Sequence, residues 1–441
     1  MKYKKYPKYK SSGIEWLREI PEHWVVKKLK YITKNIIGGG TPTTSNQELW
    51  SNEIEGIPWV SIEDMTNNKI VYKTKKYISK KGLKEKNLKI IPKNALLYSI
   101  YASLGKVAKT GINLTTNQAI LGLIPKKTIE TQYLFYALKS MEKYIQFLSS
   151  NNTQSNLNAE KVKNLFLVLP LLSEQKAIAS FLDKATAKID NLIQKEEELI
   201  KLLEEKKEAL ITKAVTKGLK NAKLKDSGIE WLGEIPEHWE VRKLSRLFKN
   251  IGSGTTPSSN KIEYYENGNI NWLQTGDLND GYINNTSKKI TEKALEDYST
   301  LKIYPPNSLV IAMYGATIGK LGILNIYSAT NQACCVLSDY KYKISKYIFY
   351  TFLAFRKHII SLSYGGGQPN ISQETIKSLK IPLPPLSEQK QIAEYLDKKL
   401  AKIDKLIEKS KKAIELLKEK KESLITNAVT GKIDVRDFDE T

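Results

Sequence analysis

The sequence predicts an α+β fold built from two globular domains and two long helices that form an antiparallel coiled coil, the whole arranged as an internal pseudo-twofold duplication. Three observations lead there. The stretch SGIEWLREIPEHW at residues 12–24 returns at 227–239 as SGIEWLGEIPEHW, with Arg18 replaced by Gly233. The correspondence continues outward at an offset of about 215 residues, far beyond the roughly 20–50 residue periods of solenoids. Each half then closes in a charged, heptad-patterned run that has the length of a single long helix. The expected boundaries are 1–170 for the first domain, 171–219 for the first long helix, 220–384 for the second domain, and 385–441 for the second long helix with a C-terminal tail.

The duplication can be followed motif by motif. IIGGGTP, ending at Pro42, answers IGSGTTP, ending at Pro257; PWVSIED, with Trp59 and Asp64, answers NWLQTGD, with Trp272 and Asp277. ASLGKVA matches ATIGKLG through Lys106 and Lys320, and TTNQA matches ATNQA through Asn117 and Asn331. From Trp24 to Leu169, β-rich runs (NALLYSI, NQAILGLI) mix with a helical stretch, TQYLFYALKSMEKYIQFL, and with turn signals such as GGGTP, which together read as an α+β domain.

From Ser173 to Lys217 there is neither Pro nor Gly. Ile178, Leu182, Ala185, Ile189, Leu192, Leu199, Leu203 and Leu210 fall on alternating four-three spacing, the seam of a coiled coil. Ile392, Leu396, Ile403, Leu406, Ala413, Leu417 and Leu424 repeat it. Prolines 170, 384 and 385 precede the helices, Ser173 and Ser387 are placed to cap them, and Gly218 and Gly431 follow. About 44 residues at 1.5 Å each give a rod of roughly 65 Å. An antiparallel pairing needs the least connecting chain, puts the domains at opposite ends and creates the pseudo-twofold axis.

Lysines and arginines number 70 against 47 acids, a net charge of +23 with a pI near 9.5. An excess of this size makes nucleic acid the leading partner class. There is no run of about 18 apolar residues, and the opening MKYKKYPKYK has no signal-peptide core, so a cytoplasmic protein is expected. The two cysteines, Cys334 and Cys335, are adjacent; they offer neither a disulfide framework nor a zinc site and belong on a buried apolar strand.

The common catalytic constellations are missing. GATIGK (315–320) has three residues between its glycines and Leu321 where a phosphate loop needs Ser or Thr, and YASLGK lacks the first glycine. The glycines of IIGGGTP and IGSGTTP are not followed by the third glycine of a dinucleotide fingerprint, and so serve turn geometry. YPPN (Tyr304 to Asn307) has the wrong order for an adenine methyltransferase motif and reads as a turn. His23 and His238 are expected to be buried beside Trp24 and Trp239, while His358 lies in a helical stretch; no base and nucleophile pair stands out.

SGIEWLGEIPEHWEVRKL, NQA and PLPPLSEQKQIAEYLDKKLAKIDKLI in the second half, each with its counterpart in the first, resemble the specificity subunit of Type I restriction-modification systems, over essentially the full length. The resemblance implies two target recognition domains separated by two conserved helices and a double-stranded DNA site in two parts with an unspecified gap. It further implies a non-catalytic chain that organises two methyltransferase subunits and, in the full complex, restriction motor-nuclease subunits. No cofactor is expected on this chain; S-adenosylmethionine, ATP and magnesium are expected on the partners. The alternative is a coiled-coil structural scaffold without sequence-specific DNA binding. An enzyme acting through this one chain is a third class.

Residues shared by both halves cannot distinguish two half-sites; divergent ones can. Gly39, Lys106, Asn117, Gln154 and Asn156, with Gly254, Lys320, Asn331, Gln368 and Asn370, are therefore candidates for framework or DNA-backbone contact. NNKIVYKTKKYISKK and DGYINNTSKKITEKA diverge, which makes Lys69, Tyr72, Lys73 and Lys75, and Asn284, Asn285, Ser287 and Lys288, candidate base readers. A block reused almost unchanged meets the same surroundings twice: Trp16, Trp24, Trp231 and Trp239 either anchor the helix root or contact a methyltransferase subunit. The rod is expected to set the gap between half-sites.

Overall fold

The computed structural model describes residues 3–66, 68–101, 103–150, 157–340, 345–364 and 369–436. It divides into two units, Met1–Glu196 with Lys412–Thr441, and Glu197–Lys411. Both are built to one plan.

In the first unit the repeated block forms a hairpin, Tyr9–Ser11 against Glu19–Pro21. Its turn is closed by the Ser12 amide donating to the Arg18 carbonyl at 2.7 Å. Arg18 sits at φ 57° and its counterpart Gly233 at φ 66°; the one difference between the copies thus falls on a left-handed position that glycine takes without steric cost. Val25–Lys28 then pairs with Phe166–Leu169, and Glu240–Lys243 pairs likewise with Lys380–Leu383, so each globular part begins and ends side by side where its long helix starts.

Between those ends lies a five-stranded sheet in the order Thr33–Gly38, Ile120–Pro125, Leu96–Ser99, Val107–Thr110, Ile70–Val71. All neighbours are antiparallel except the last pair, which is parallel. The second unit repeats the order with Phe248–Ser253, Cys334–Tyr340, Leu309–Ala312, Leu321–Leu324 and Gly281–Ile283, again with a parallel last pair. Central strands such as Leu96–Ser99 and Leu309–Ala312 are buried on both faces, because the two-residue period sends alternate side chains into two cores. Leu96 and Tyr98 join the core shared with the long helices, while Leu97 joins a smaller one on the opposite face. Cys334 and Cys335 divide in the same way, buried on opposite faces of one strand, as the apolar context of NQACCVL predicts.

The long helices run Leu172–Lys217 and Leu386–Val429. Both start one residue before the serines expected to cap them, so Ser173 and Ser387 lie inside the first turn. The start is fastened instead by Gln175 and Gln389, whose side-chain amides donate to the carbonyls of Pro170 (3.0 Å) and Pro384 (2.8 Å). Gly218 and Gly431 follow the helix ends at φ 72° and 73°. Within each unit the two helices pack together: Ile178, Leu182 and Ile189 share a core with Leu424, Ile425 and Ala428, and Leu203, Ile211 and Val215 share one with Ile392, Leu396 and Ile403.

The heptad seam is corrected in the middle of each helix. Leu192, Leu199 and Leu406 are exposed, and their neighbours Ile193, Ile200 and Ile407 face the cores instead. A helix near 3.6 residues per turn drifts about 20° per heptad against a 3.5 repeat, so over this length the inward face moves on by one residue.

The root of each helix is held by matching tyrosines. The Tyr133 hydroxyl donates to the Val168 carbonyl at 2.7 Å, and that of Tyr347 to the Pro382 carbonyl at 3.0 Å. Among the described residues no helix is long and apolar enough to cross a membrane, and no group of three or more His, Cys, Asp or Glu is placed to hold a metal ion.

Candidate nucleic-acid interface

The motifs common to both halves fold into one frame. Gly39 and Gly254 pass so close to the TTNQA and ATNQA loops that a Cβ would lie 2.1 Å from the Asn117 carbonyl oxygen and 1.8 Å from that of Thr330. The indole of Trp59 donates to the Gly40 carbonyl at 2.9 Å, and that of Trp272 to the Thr255 carbonyl at 3.2 Å. Asn117 and Asn331 turn inward: each side-chain oxygen accepts the amide two residues on, from Ala119 and Ala333, at 3.1 Å. At the exposed rim Thr41 donates to Gln118 at 2.5 Å and Thr256 to Gln332 at 2.6 Å.

Sequence reasoning missed these two threonine and glutamine pairs, although both residues stand in motifs it had matched. Lys106 is held by Glu142 at 2.7 Å, and Lys320 is exposed. Asn370 exchanges main-chain hydrogen bonds with Tyr364 at 2.9 and 3.0 Å. Gln154, Asn156 and Gln368 lie outside the described residues.

Within the divergent segments lie two loops, 72–75 and 284–287, each leaving the edge strand of its five-stranded sheet and entering a strand of a smaller sheet, Lys76–Ile78 or Lys288–Ile290. Val71, Thr74 and Ile78 are buried, as are Ile283, Thr286 and Ile290, while the residues between are exposed, Tyr77 only partly. The Thr74 hydroxyl donates to the Lys76 carbonyl at 2.8 Å and that of Thr286 to the Lys288 carbonyl at 2.7 Å. This frame aligns Tyr72 with Asn284, Lys73 with Asn285 and Lys75 with Ser287. Lys288 begins a strand opposite Trp272. Lys69 precedes the loop and is bound to Asp190 of the first long helix at 2.6 Å.

Two acids beside the first loop were also missed. Glu53 holds Lys73 at 2.7 Å, and Glu63 pairs with Lys75. These hydrogen bonds raise both lysine pKa values above the ordinary range. Glu53, Glu63, Lys73 and Lys75 line an open groove that carries both donors and acceptors, the group types that base edges present in the major groove. In the second unit the equivalent surface is amide-rich, with Asn325 donating to Asn284 at 2.8 Å.

The repeated block shows a division among its aromatics. Trp24 and Trp239 are fully buried at the helix roots. Trp16 packs on Tyr144, with ring centroids 5.2 Å apart, and Trp231 stacks on His358 at 4.3 Å; both are partly exposed. His23 and His238 are exposed, contrary to the expectation of burial, because each ring turns to the first turn of a long helix. His23 meets Glu174 at 3.0 Å and His238 meets Glu388 at 2.9 Å. The coupled recurrence of EHW and SEQ in the sequence was the available signal for these pairs.

Comparison with known proteins gives this arrangement a context. The family model for the Type I restriction modification DNA specificity domain matches twice, at residues 21–202 and 236–416. The MjaIX specificity subunit of a Type I restriction enzyme from Methanocaldococcus jannaschii is 30% identical over 433 residues, covering 95% of this chain and 96% of that protein. The MjaVIII specificity subunit from the same organism is 30% identical over 436 residues, covering 95% of each.

Two solved structures share the fold. One, a chain from work on complex assembly and conformational transition of the type I R-M system, gives a TM-score of 0.74 at 16% identity over 93% of this chain and 98% of that one. The other, the HsdS subunit from Thermoanaerobacter tengcongensis, gives 0.56 at 15% identity over 94% and 98%. With the specificity domain present twice and full-length relatives of the same kind, the chain belongs to the Type I restriction-modification specificity subunits, the non-catalytic component that recognises the DNA target and assembles into the restriction-modification complex.

Proposed function

We propose that the two units read unlike halves of one bipartite, asymmetric DNA target, each through the loop that follows the edge strand of its five-stranded sheet. The observation that supports this most is the contrast between a shared buried frame and different exposed side chains: Tyr72, Lys73 and Lys75 on one copy, Asn284, Asn285 and Ser287 on the other. Different donors and acceptors held on one backbone frame select different bases. Gly39, Gly254, Asn117 and Asn331 belong to the frame common to both halves, and Lys106, paired with Glu142, and Lys320 are the candidates for contact with the DNA backbone.

The partners in this reading are two methyltransferase subunits, one per repeated block, and the restriction motor-nuclease subunits. S-adenosylmethionine, ATP and magnesium belong to those partners, and the complex works in the cytoplasm. Partly exposed Trp16 and Trp231 are the aromatic residues of the block left for subunit contact. The test is to map methylated adenines in the genome of a host expressing the system. The expected motif has two different specified halves around an unspecified gap; a palindromic motif, or methylation without a motif, overturns the reading.

A further inference from the structure

The aspartates of SIED and TGD have a role that their motifs alone do not suggest. In the first unit the Asp64 carboxylate is buried; one oxygen accepts the Ser61 amide at 2.8 Å and the Ser61 hydroxyl at 2.7 Å, and the other accepts the Lys75 amide at 3.0 Å. In the second unit one oxygen of Asp277 accepts the Gln274 amide at 2.9 Å and the other the Ser287 amide at 3.0 Å. The geometry recurs although the chain between aspartate and loop differs by one residue, 11 against 10 positions. Both copies therefore tie the main chain of a divergent loop to a fixed turn. Among the described residues neither carboxylate makes an ion pair, and each oxygen of both accepts a main-chain amide of the turn or of the loop, so both carboxylates hold the loop.

We propose that Asp64 and Asp277 are positioning residues for sequence discrimination, each fixing the reading loop of its own unit and therefore the fidelity of one half-site only. This rests on the reading that loops 72–75 and 284–287 contact bases. A carboxylate offers two acceptors at once, one for the turn and one for the loop. An asparagine of the same shape offers one acceptor and turns a donor toward the loop's own N–H, so the loop loses its tie while the side-chain volume is kept. A base contact that loses its placement gives up a discrimination of roughly ten- to a hundredfold.

The experiment uses the assembled modification complex carrying Asp64→Asn, Asp64→Ala or Asp277→Asn, with its melting temperature measured. Methylation rates are compared on duplexes bearing the cognate target and single-base changes in either half. Asp64→Asn is expected to cut the preference for cognate over altered bases about tenfold in one half-site and to leave the other half-site unchanged; Asp277→Asn should do the reverse. If the alanine variant does not assemble, the isosteric asparagine decides. Unchanged preferences, or an equal fall on every duplex with preferences intact, overturn the proposal.

A second complex carrying Tyr72→Asn, Lys73→Asn and Lys75→Ser separates the two claims. If that exchange leaves the motif unchanged, base reading by the loop fails. If it alters the motif while Asp64→Asn does not alter preference, positioning alone fails.

Discussion

Replacing Gly254 with alanine places a methyl carbon 1.8 Å from the Thr330 carbonyl oxygen, where real contacts are not found below 3.0 Å. The atom in the way is main chain, so no side-chain rotation relieves the overlap and the two loops must part by more than 1 Å. Parting them breaks the bond from the Gly254 amide to the Thr330 hydroxyl, 3.1 Å, and strains the one from the Trp272 indole to Thr255. One lost hydrogen bond costs about 1 kcal/mol, and forcing a methyl into a packed site about 1–3 kcal/mol. The sum is about 2–4 kcal/mol, which for a unit of this size lowers its melting temperature by roughly 5–15 °C. Gly39→Ala should act alike in the first unit, where the same methyl would lie 2.1 Å from the Asn117 carbonyl oxygen. Scanning calorimetry of the purified chain measures both. Variants melting within about 1 °C of the parent would refute the reasoning, because the close approach would then not be a fixed part of the frame.

Acid should weaken the first unit through Asp190. Burial raises its pKa, but the hydrogen bonds from Lys421 and Lys69 outweigh burial and hold it below the usual carboxylate range. Its stabilising contribution is therefore present above the unfolded value of about 3.9 and is lost as pH falls through the lower folded value. Asp190→Asn should reduce thermal stability at neutral pH and flatten this acid dependence, as melting curves across pH would record. Cys334 and Cys335, pushed up to about 12 by burial, should resist alkylation in the native chain and react once it is denatured, which mass spectrometry of iodoacetamide-treated samples checks. Inserting one heptad after Lys195 and another after Lys409 adds about 10 Å of helix, or about three base pairs at roughly 3.4 Å each. Methylation mapping should return a longer unspecified gap or no modification, and robust modification at the original gap would remove the helices as the ruler.

Much of this architecture was legible because duplication and periodicity are local signals. The continuous apolar run of NQACCVL predicts a buried strand, and the residues after Lys217 and Val429 include the glycines that end the helices. What stayed hidden depends on partners distant in sequence. Lys69, read as a base-contact candidate, is tied to Asp190, 121 residues away, and His23 pairs with Glu174, 151 residues away. The seam failed at Leu192, Leu199 and Leu406 because heptad counting ignores the drift of a nearly straight helix. The link from Asp64 to the loop was invisible for another reason: it runs to a main-chain amide, which leaves no mark on the identity of residue 75.

The most direct test of the central claim, that each unit reads its own part of the target, is to replace residues 33–165 with residues 248–379 and map methylated adenines in a host expressing the altered chain with its partner subunits. Both sheets would then carry the second unit's exposed loop on the same frame, and the block, strand pair and helix at each root would be unchanged. The account predicts a palindromic motif made of two copies of the second half-site around an unspecified gap. A motif that kept the original first half-site would contradict it, because sequence would then be read by something other than the exchanged unit.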